Sequence, residues 1–343
     1  MISTSNDDKQ VAYWLLVVCA AIFFMVVLGG ATRLTHSGLS MVEWEPIVGI
    51  IPPLNEAEWQ ETFEKYKLTP EYQLNLGMDV EGFKSIFMLE YIHRVWGRMI
   101  GLIFLLPFLY FLIKGKIRKP LVPRMVIMFV LGGLQGVMGW YMVKSGLVND
   151  PQVSQYRLTA HLGAAFVIYA YIFWTAMDLL FPRPKPHVID TRPLQRFALY
   201  VTGLLSITIL SGGFVAGLKA GLAYNTFPLM DGHFVPDGMF ALEPWYRNFF
   251  DNIAAVQFDH RLLAELSLLV VVALWFVSRR YHLTARARMA LNLLLGMTVV
   301  QVLLGIATLL LVVPVWLGTT HQGGAVVLFT LALSLNHALL TRK

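Results

Sequence analysis

The chain has 343 residues, 57% of them hydrophobic and only 14% charged, with a formal net charge of +6 at pH 7. Together with a mean hydropathy of +0.61, this composition excludes a soluble domain of that length and indicates a polytopic protein of the lipid bilayer. The single cysteine, Cys19, lies in an apolar stretch, which excludes an intrachain disulfide and a cysteine-held metal site.

Eight apolar runs are close to the length needed to cross the hydrocarbon core, so we predict eight transmembrane helices and an all-α integral membrane fold. In chain order they are Val11–Gly30, Ile86–Ile113, Arg124–Val143, Arg157–Phe181, Phe197–Leu218, Val256–Val277, Met289–Val313 and Val315–Leu340. Sixteen of the 27 Lys and Arg residues fall on the side that holds both termini, and eight fall in the loops of the other side. The positive-inside rule therefore predicts cytoplasmic N and C termini, and the net charge gives no indication of nucleic-acid binding.

Matching motifs indicate an internal repeat of four helices. Tyr91-Ile-His93-Arg94 aligns with Phe258-Asp-His260-Arg261, Gln135 and Gly139 with Gln301 and Gly305, Thr159-Ala-His161 with Thr319-Thr-His321, and Gly29-Gly30 with Gly212-Gly213. Because each half has an even number of helices, the repeat is predicted to be parallel, giving two pseudo-symmetric four-helix bundles. The predicted halves are residues 1–181 and 197–343, joined by a cytoplasmic linker at 182–196.

The outer loop 31–85 of the first half is long and acidic, with nine Asp and Glu against four Lys and Arg. Asn55 and Glu58 have the spacing of a helix cap, and Trp59, Phe63 and Tyr66 would share one face of the helix. Two interpretations remain open: an amphipathic cover over the outer surface, or a surface-packed helix without a role in binding.

Four histidines, His93, His161, His260 and His321, fall near the outer start of the second, fourth, sixth and eighth runs. Ionisable residues inside membrane helices are costly and indicate function, and two imidazoles at equal depth in one bundle suit a haem iron. We therefore predict two haem sites, one in each half. Interhelical hydrogen bonds are the alternative for a lone histidine, and zinc is a weaker candidate because two ligands are too few.

The neighbours of these histidines are compatible with haem. Arg94 and Arg261 each follow a histidine and could bind propionates, although snorkelling to lipid headgroups explains either alone. Glycines of the third run would allow close approach of a porphyrin or, as the default, of a helix; they are Gly132, Gly133, Gly136 and Gly139.

One difference between the halves indicates chemistry. Glu90 lies three residues before His93, whereas Gln257 holds the matching position before His260. An apolar surround would favour a protonated Glu90, poised for proton transfer or for stabilising a developing positive charge. A structural hydrogen bond from Glu90 to Arg94 or to a loop amide is the alternative. The remaining histidines, including His337, lie in loops or at helix ends and are expected to be mostly solvated; His36 is set apart from them because it lies just after the first run on the haem side.

Taken as a set, the motifs resemble the haem A synthase family, of the bacterial CtaA and mitochondrial Cox15 type. They are Gly29-Gly-Ala-Thr-Arg33-Leu-Thr-His-Ser-Gly-Leu-Ser-Met41, Glu90-Tyr-Ile-His93-Arg94-Val-Trp-Gly97-Arg98, Thr159-Ala-His161, Asp259-His260-Arg261 and His321-Gln322-Gly323. The resemblance covers nearly the whole chain. It resembles the branch whose acidic outer loop lacks a cysteine pair, so a mechanism based on thiols is excluded here.

The resemblance implies an enzyme, a haem-dependent membrane oxidoreductase that oxidises the C8 methyl of haem O to a formyl group by successive hydroxylations. It implies a permanent haem b on His260 and His321, and haem O as substrate between His93 and His161 with Glu90 near the reacting methyl. It also implies a bacterial inner-membrane location with haem sites toward the periplasm. Expected partners are haem O synthase, the farnesyltransferase that supplies haem O, and cytochrome oxidase assembly factors; homo-oligomer formation is left open.

A second interpretation of the residues is a dihaem b-type electron carrier with two equivalent permanent cofactors. The contrast between Glu90 and Gln257, and the unequal outer loops, favour the enzyme. A transporter is disfavoured because the ionisable residues cluster toward the outer face.

Overall fold

The computed structural model describes residues 5–42, 51–146, 153–181 and 191–340. The first half contains α1 (Asn6–Leu34), α2 (Glu56–Lys67), α3 (Val80–Ile113), α4 (Val122–Gly146) and α5 (Gln155–Leu180); the second contains α6 (Arg192–Gly217), α7 (Asn248–Asp251), α8 (Ile253–Ser278), α9 (Ala285–Leu310) and α10 (Val315–Leu339). All but α2 and α7 correspond to segments long and apolar enough to span a membrane. The prediction of an all-α fold with eight spans is confirmed.

Several helix ends differ from the predicted runs. Helix α1 begins at Asn6 and α3 at Val80, because Ser5 and Asp79 cap polar first turns that precede the apolar stretches. Helix α9 ends at Leu310 and not at Val313. Val312 and Val313 have φ angles of 60° and 56°, and this left-handed pair reverses the chain before α10. Such angles are strained for β-branched residues, so apolar length alone could not locate this end.

The spanning helices pack in the same order in each half. Helix α1 packs against α3 and α5, and α4 packs against the same two helices; in the second half α6 packs against α8 and α10, and α9 packs against those two. Contacts of α1 with α10, and of α5 with both α6 and α10, join the halves. The parallel orientation of the repeat and the cytoplasmic termini stay predictions, and linker residues 182–190 lie outside the described residues.

The predicted helix of the first outer loop is present. Asn55 caps α2 by accepting the Glu58 N–H at 3.0 Å, and Glu58 in turn accepts the Leu54 N–H at 2.7 Å. Phe63 and Tyr66 of α2 are buried in one aromatic cluster with Phe83 and Phe87 of α3. The segment that contains α2 and continues to Asn75 is therefore a cover packed on the extended end of α3. We call the side of the molecule that carries this cover the outer side.

Candidate haem sites

Each of the four predicted histidines lies against a glycine of a neighbouring helix in its own half. A Cβ atom built on the glycine would stand 3.0–3.3 Å from the imidazole Cε1, which is tighter than ordinary side-chain contact. The pairs are Gly29 with His93, Gly139 with His161, Gly212 with His260, and Gly305 with His321. Only glycine leaves room for these rings, so the repeated motifs place four imidazoles in four equivalent positions.

The second glycine of each Gly-Gly pair has a different task. A Cβ on Gly30 of α1 would stand 2.5 Å from Oε1 of Gln322 on α10, and one on Gly213 of α6 would stand 2.8 Å from Oγ1 of Thr159 on α5. Gln322, which directly follows His321, donates its Nε2–H to the Val26 carbonyl of α1 at 2.9 Å. In each pair, one glycine receives the histidine of its own half and the next receives a helix of the other half.

A hydroxyl group orients the first histidine of each half. Ser211 Oγ lies 2.8 Å from His260 Nδ1, and Thr32 Oγ1 lies 3.3 Å from His93 Nδ1. Each hydroxyl also lies within 2.9 Å of a backbone carbonyl of its own helix, to which it can give its only proton. The imidazole Nδ1 then carries the proton of the shared bond, which leaves Nε2 unprotonated and able to bind a metal.

The second histidine of each half is held through its backbone. Gln135 Nε2 donates to the His161 carbonyl at 2.7 Å, and Gln301 Nε2 donates to the His321 carbonyl at 2.8 Å. The Nδ1 atoms of both histidines are buried without a hydrogen-bond partner among the residues that the structure describes. The sequence indicated both glutamines as repeat markers but not as supports for the histidine helices.

His93 interacts electrostatically with His161, and His260 with His321, so the members of each predicted pair lie in the same region of their half. Their role as paired haem ligands stays a prediction. Neutral imidazole nitrogens, close glycines and buried Nδ1 atoms without partners fit a planar group held between two histidines better than a set of satisfied structural histidines. Among the described residues, no atom lies within 4 Å of a Cβ built on Gly132, Gly133 or Gly136 of α4, so the default of close helix packing at these three glycines is wrong.

Glu90 does not have the apolar surround that the sequence predicted. Its side chain is only 3% exposed. Oε1 accepts the Arg94 Nη2–H at 2.5 Å, and Oε2 accepts the N–H and Oγ–H of Ser40, both at 2.7 Å, and the Met41 N–H at 2.9 Å. These contacts match the alternative prediction, in which Glu90 forms structural hydrogen bonds with Arg94 and with loop amides. Glu90 anchors the segment after α1 through three donors of Ser40 and Met41, and the sequence had placed Ser40 in a family motif without indicating this contact.

The matching position in the second half makes weaker contacts with its loop. Gln257 is buried and donates to the Tyr224 carbonyl at 3.4 Å, while Arg261 donates to the Tyr224 and Thr226 carbonyls at 2.6 and 2.8 Å. Glu265, one turn deeper in α8, interacts with Arg261 electrostatically. At the position that matches Glu90 the second half therefore carries an amide, and not an acid.

Arg94 and Arg261 contact the loops of the protein. Arg94 Nη2 donates to the Met41 carbonyl at 3.2 Å in addition to Glu90, and Arg261 contacts the carbonyls named above. The predicted role in binding propionates stays a prediction. Both guanidinium groups donate hydrogen bonds to loop carbonyls of the protein, which differs from snorkelling toward lipid headgroups.

The expectation that His337 is solvated is wrong. It is 3% exposed, with Nε2 3.2 Å from Asp178 Oδ1 and Nδ1 3.0 Å from Arg286 Nη2. Helix α10 continues past His337 to Leu339 and packs against α5, so the ring is covered although it lies near a helix end. His36, in contrast, is exposed in the turn after α1.

The fold and the sites define a class: a multi-pass helical membrane protein with two pairs of histidines, each pair inside a four-helix bundle. The model of the COX15-CtaA family, described as cytochrome oxidase assembly protein, matches residues 12–333. The chain belongs to this family.

Curated relatives agree over most of the chain. A protein of Nitrosospira multiformis named heme A synthase is 59% identical over 334 residues, covering 97% of this chain and 94% of the relative. Proteins named heme A synthase COX15 are 47% identical in Arabidopsis thaliana and 45% identical in Homo sapiens; each match covers 97% of this chain, and 75% and 83% of the relative, respectively.

Proposed function

We propose that this protein is a haem A synthase, which oxidises a methyl group of haem O to a formyl group and so supplies haem A for cytochrome oxidase. One observation carries the proposal: in each half, two histidine rings pack against glycines of neighbouring helices. The chain's relatives are named heme A synthase. A membrane enzyme suits this substrate, because haem O carries a long apolar tail that is best handled within the bilayer.

The two halves are proposed to have different tasks. His260 and His321 in residues 197–343 would hold a permanent haem b, and His93 and His161 in residues 1–181 would hold the substrate haem O. The donor set fits, because each pair offers two imidazoles and a glycine beside each ring lets that ring lie close against the neighbouring helix. A bound haem b would supply electron transfer to an acceptor. The outer position of the histidines agrees with sites toward the periplasm of a bacterial inner membrane.

The chain's own residues would orient these groups. Ser211 and Thr32 would orient the imidazoles of His260 and His93 through Nδ1 and leave Nε2 available to an iron. Gln301 and Gln135 hold the turns that carry His321 and His161. Arg94 and Arg261 have guanidinium groups near the outer ends of the sites, where propionates would need cations.

We assign Glu90 to charge stabilisation beside the reacting methyl. Its two carboxylate oxygens accept four hydrogen bonds, which fix the orientation of the group. The fixed negative charge is suited to stabilising positive charge that develops at the methyl carbon. The same bonds hold the Ser40–Met41 segment in place over the first half.

A dihaem electron carrier is the second candidate, and one observation favours it. The histidine and glycine geometry is nearly the same in both halves, as it would be around two equivalent cofactors. The two halves differ elsewhere: the first has Glu90 where the second has Gln257, and only the first carries the cover among the described residues.

Extraction of the bound haems separates these candidates. The protein is expressed in cells that make haem O and have no other enzyme to convert it, and the extracted haems are identified by mass. Haem A and its hydroxylated precursor are expected alongside haem b. Recovery of haem b alone, at two per chain, would overturn the proposal in favour of the carrier.

A further inference from the structure

The cover of the first half contains a second buried carboxyl group. Glu71, in the short helical turn Pro70–Leu74, is 4% exposed. Its Oε2 is buried, and no group in the described ranges of the chain forms a hydrogen bond with it. An unpaired buried carboxylate is costly, so its presence needs an explanation that packing does not give.

Charged and titratable groups from four elements surround this carboxyl. Arg33 at the end of α1 and Lys219 after α6 act on Glu71 as cations, Glu90 of α3 acts as a like charge, and Tyr66 of α2 is also within electrostatic range. Within the part of the chain that the structure describes, no ion pair within 4.0 Å joins Glu71 to Arg33 or Lys219. Glu71 therefore lies in a polar space where the two halves and the cover meet.

Arg33 contributes a second unsatisfied atom to this space. Its Nη2 donates to the carbonyls of Ala216 and Gly217, at 3.1 and 3.2 Å, where α6 ends. Its Nε is buried without a partner among the described residues. Arg33 Nε is thus a buried donor and Glu71 Oε2 a buried acceptor, each without a hydrogen-bond partner among the described residues. An internal water could bind to such groups.

Burial raises the pKa of Glu71 above its ordinary value, and the neighbouring Glu90 adds to the rise while Lys219 and Arg33 oppose it. The group is thus closer to a protonation equilibrium near neutral pH than an exposed glutamate is.

We propose that Glu71 relays protons between the substrate site of the first half and outer water. An O–H bond of a water in the site breaks as its proton forms an O–H bond at Oε2 of the carboxylate; that bond then breaks as the proton passes to outer water, and the carboxylate is restored. The proposal rests on the proposed function: with water as the oxygen source and an external electron acceptor, R–CH3 + H2O gives R–CHO, four protons and four electrons, so the protons must leave a buried site. The positive charges of Arg33 and Lys219 favour the deprotonated form of Glu71, so that the carboxylate can accept the next proton.

The test compares Glu71→Gln with Glu71→Asp and with a control, Glu64→Gln. Glu64 is an exposed carboxylate of α2 that pairs with Lys67, so it belongs to the same cover but not to the buried cluster. For each variant, the rate of haem O conversion per bound haem O is measured as a function of pH, together with the haem content and absorption spectrum.

Glu71→Gln is expected to bind haem normally and to convert it about 100-fold more slowly, the lower end of what a positioned proton-transfer group contributes. The unmodified protein should lose rate toward acid pH as Glu71 becomes protonated, and this fall should be missing from Glu71→Gln. Glu71→Asp should still lose rate toward acid pH and should convert haem O faster than Glu71→Gln. Glu64→Gln should match the unmodified protein in both rate and pH profile.

A purely structural Glu71 would give a different pattern. Glu71→Gln would then change haem content or stability, while the rate per bound haem O and its pH profile would stay as in the unmodified protein; that result overturns the relay. If the unmodified protein converts no haem O, the proposed function itself fails, and the relay fails with it. An infrared band of a protonated carboxyl that titrates in the unmodified protein and is missing in Glu71→Gln would be the matching spectroscopic signature.

Discussion

The Ser211 hydroxyl lies 2.8 Å from Nδ1 of His260 and 2.8 Å from the Thr208 carbonyl of its own helix. These two contacts together assign the imidazole proton to Nδ1 and leave Nε2 for a metal. The first half achieves the same with Thr32, whose position relative to the glycine pair differs by one helical turn. Histidine orientation is therefore common to both halves, although the residues that provide it are not repeated.

Ser211→Ala should weaken haem b binding by about 10-fold to 100-fold, the usual effect of removing a partner that orients a ligating histidine. Ser206→Ala is the matched control, because Ser206 lies on the same helix and bonds only to the Thr202 carbonyl. Retention of haem b during purification and its reduction potential are the measurements. Equal behaviour of the two variants would show that the Ser211 hydroxyl does not orient His260.

Gly212→Ala should displace the His260 ring, because the new Cβ would stand 3.1 Å from Cε1. We expect loss of haem b from this variant. Gly203→Ala on the same helix has no atom within 4 Å of the added carbon and should be neutral or stabilising, by up to about 1 kcal/mol. Haem content per chain and thermal stability in detergent check both. Full haem b in Gly212→Ala would mean that the ring can move without cost.

Glu90→Gln should leave haem b bound and cause haem O to accumulate without haem A. The amide NH₂ group would face one of the donors that now bond to the carboxylate. Arg94 would also lose its charge partner, and breaking such a buried ion pair lowers the free energy of unfolding by about 3–5 kcal/mol. Glu81→Gln, in the exposed first turn of the same helix, is the control. Haem extraction and thermal denaturation are the readouts, and normal haem A content would remove Glu90 from the reaction.

Glu71→Gln should stabilise the protein increasingly as pH rises. The folded-state pKa of Glu71 is raised by burial above its ordinary 4.5, so the stability linked to the protonated acid is complete below pH 4.5 and is lost as pH rises through the folded pKa. Glutamine cannot ionise and avoids that loss. The midpoint of thermal unfolding, measured from acid to neutral pH against Glu64→Gln, should show a growing advantage. A difference that is constant with pH would contradict the raised pKa.

Much of the fold could be predicted because membrane helices carry their signal locally. Apolar length identified eight spans, and repeated motifs identified four histidines with their glycines. The Gly-Gly pairs were recognised as repeat markers, but their division between a histidine and a helix of the other half needed the packing of α1 and α6.

The parts that escaped prediction depend on contacts between distant segments. Ser40 bonds to Glu90 across 50 positions, and Gln322 reaches Val26 across 296. The burial of Glu71 and of His337 depends on which surface covers them, and periodicity gives no information on that. The surround of Glu90 was wrongly predicted as apolar for this reason, since a polar loop segment folds onto it.

The central claim is that the two halves hold different haems, and the haem content of His260→Ala and His93→Ala tests it most directly. Both variants are purified from cells that supply haem O, and the bound haems are extracted and identified by mass. The account predicts that His260→Ala loses haem b while still binding haem O, and that His93→Ala keeps haem b and loses haem O and haem A. Loss of the same haem from both variants, or one haem type shared equally between the halves, would contradict it.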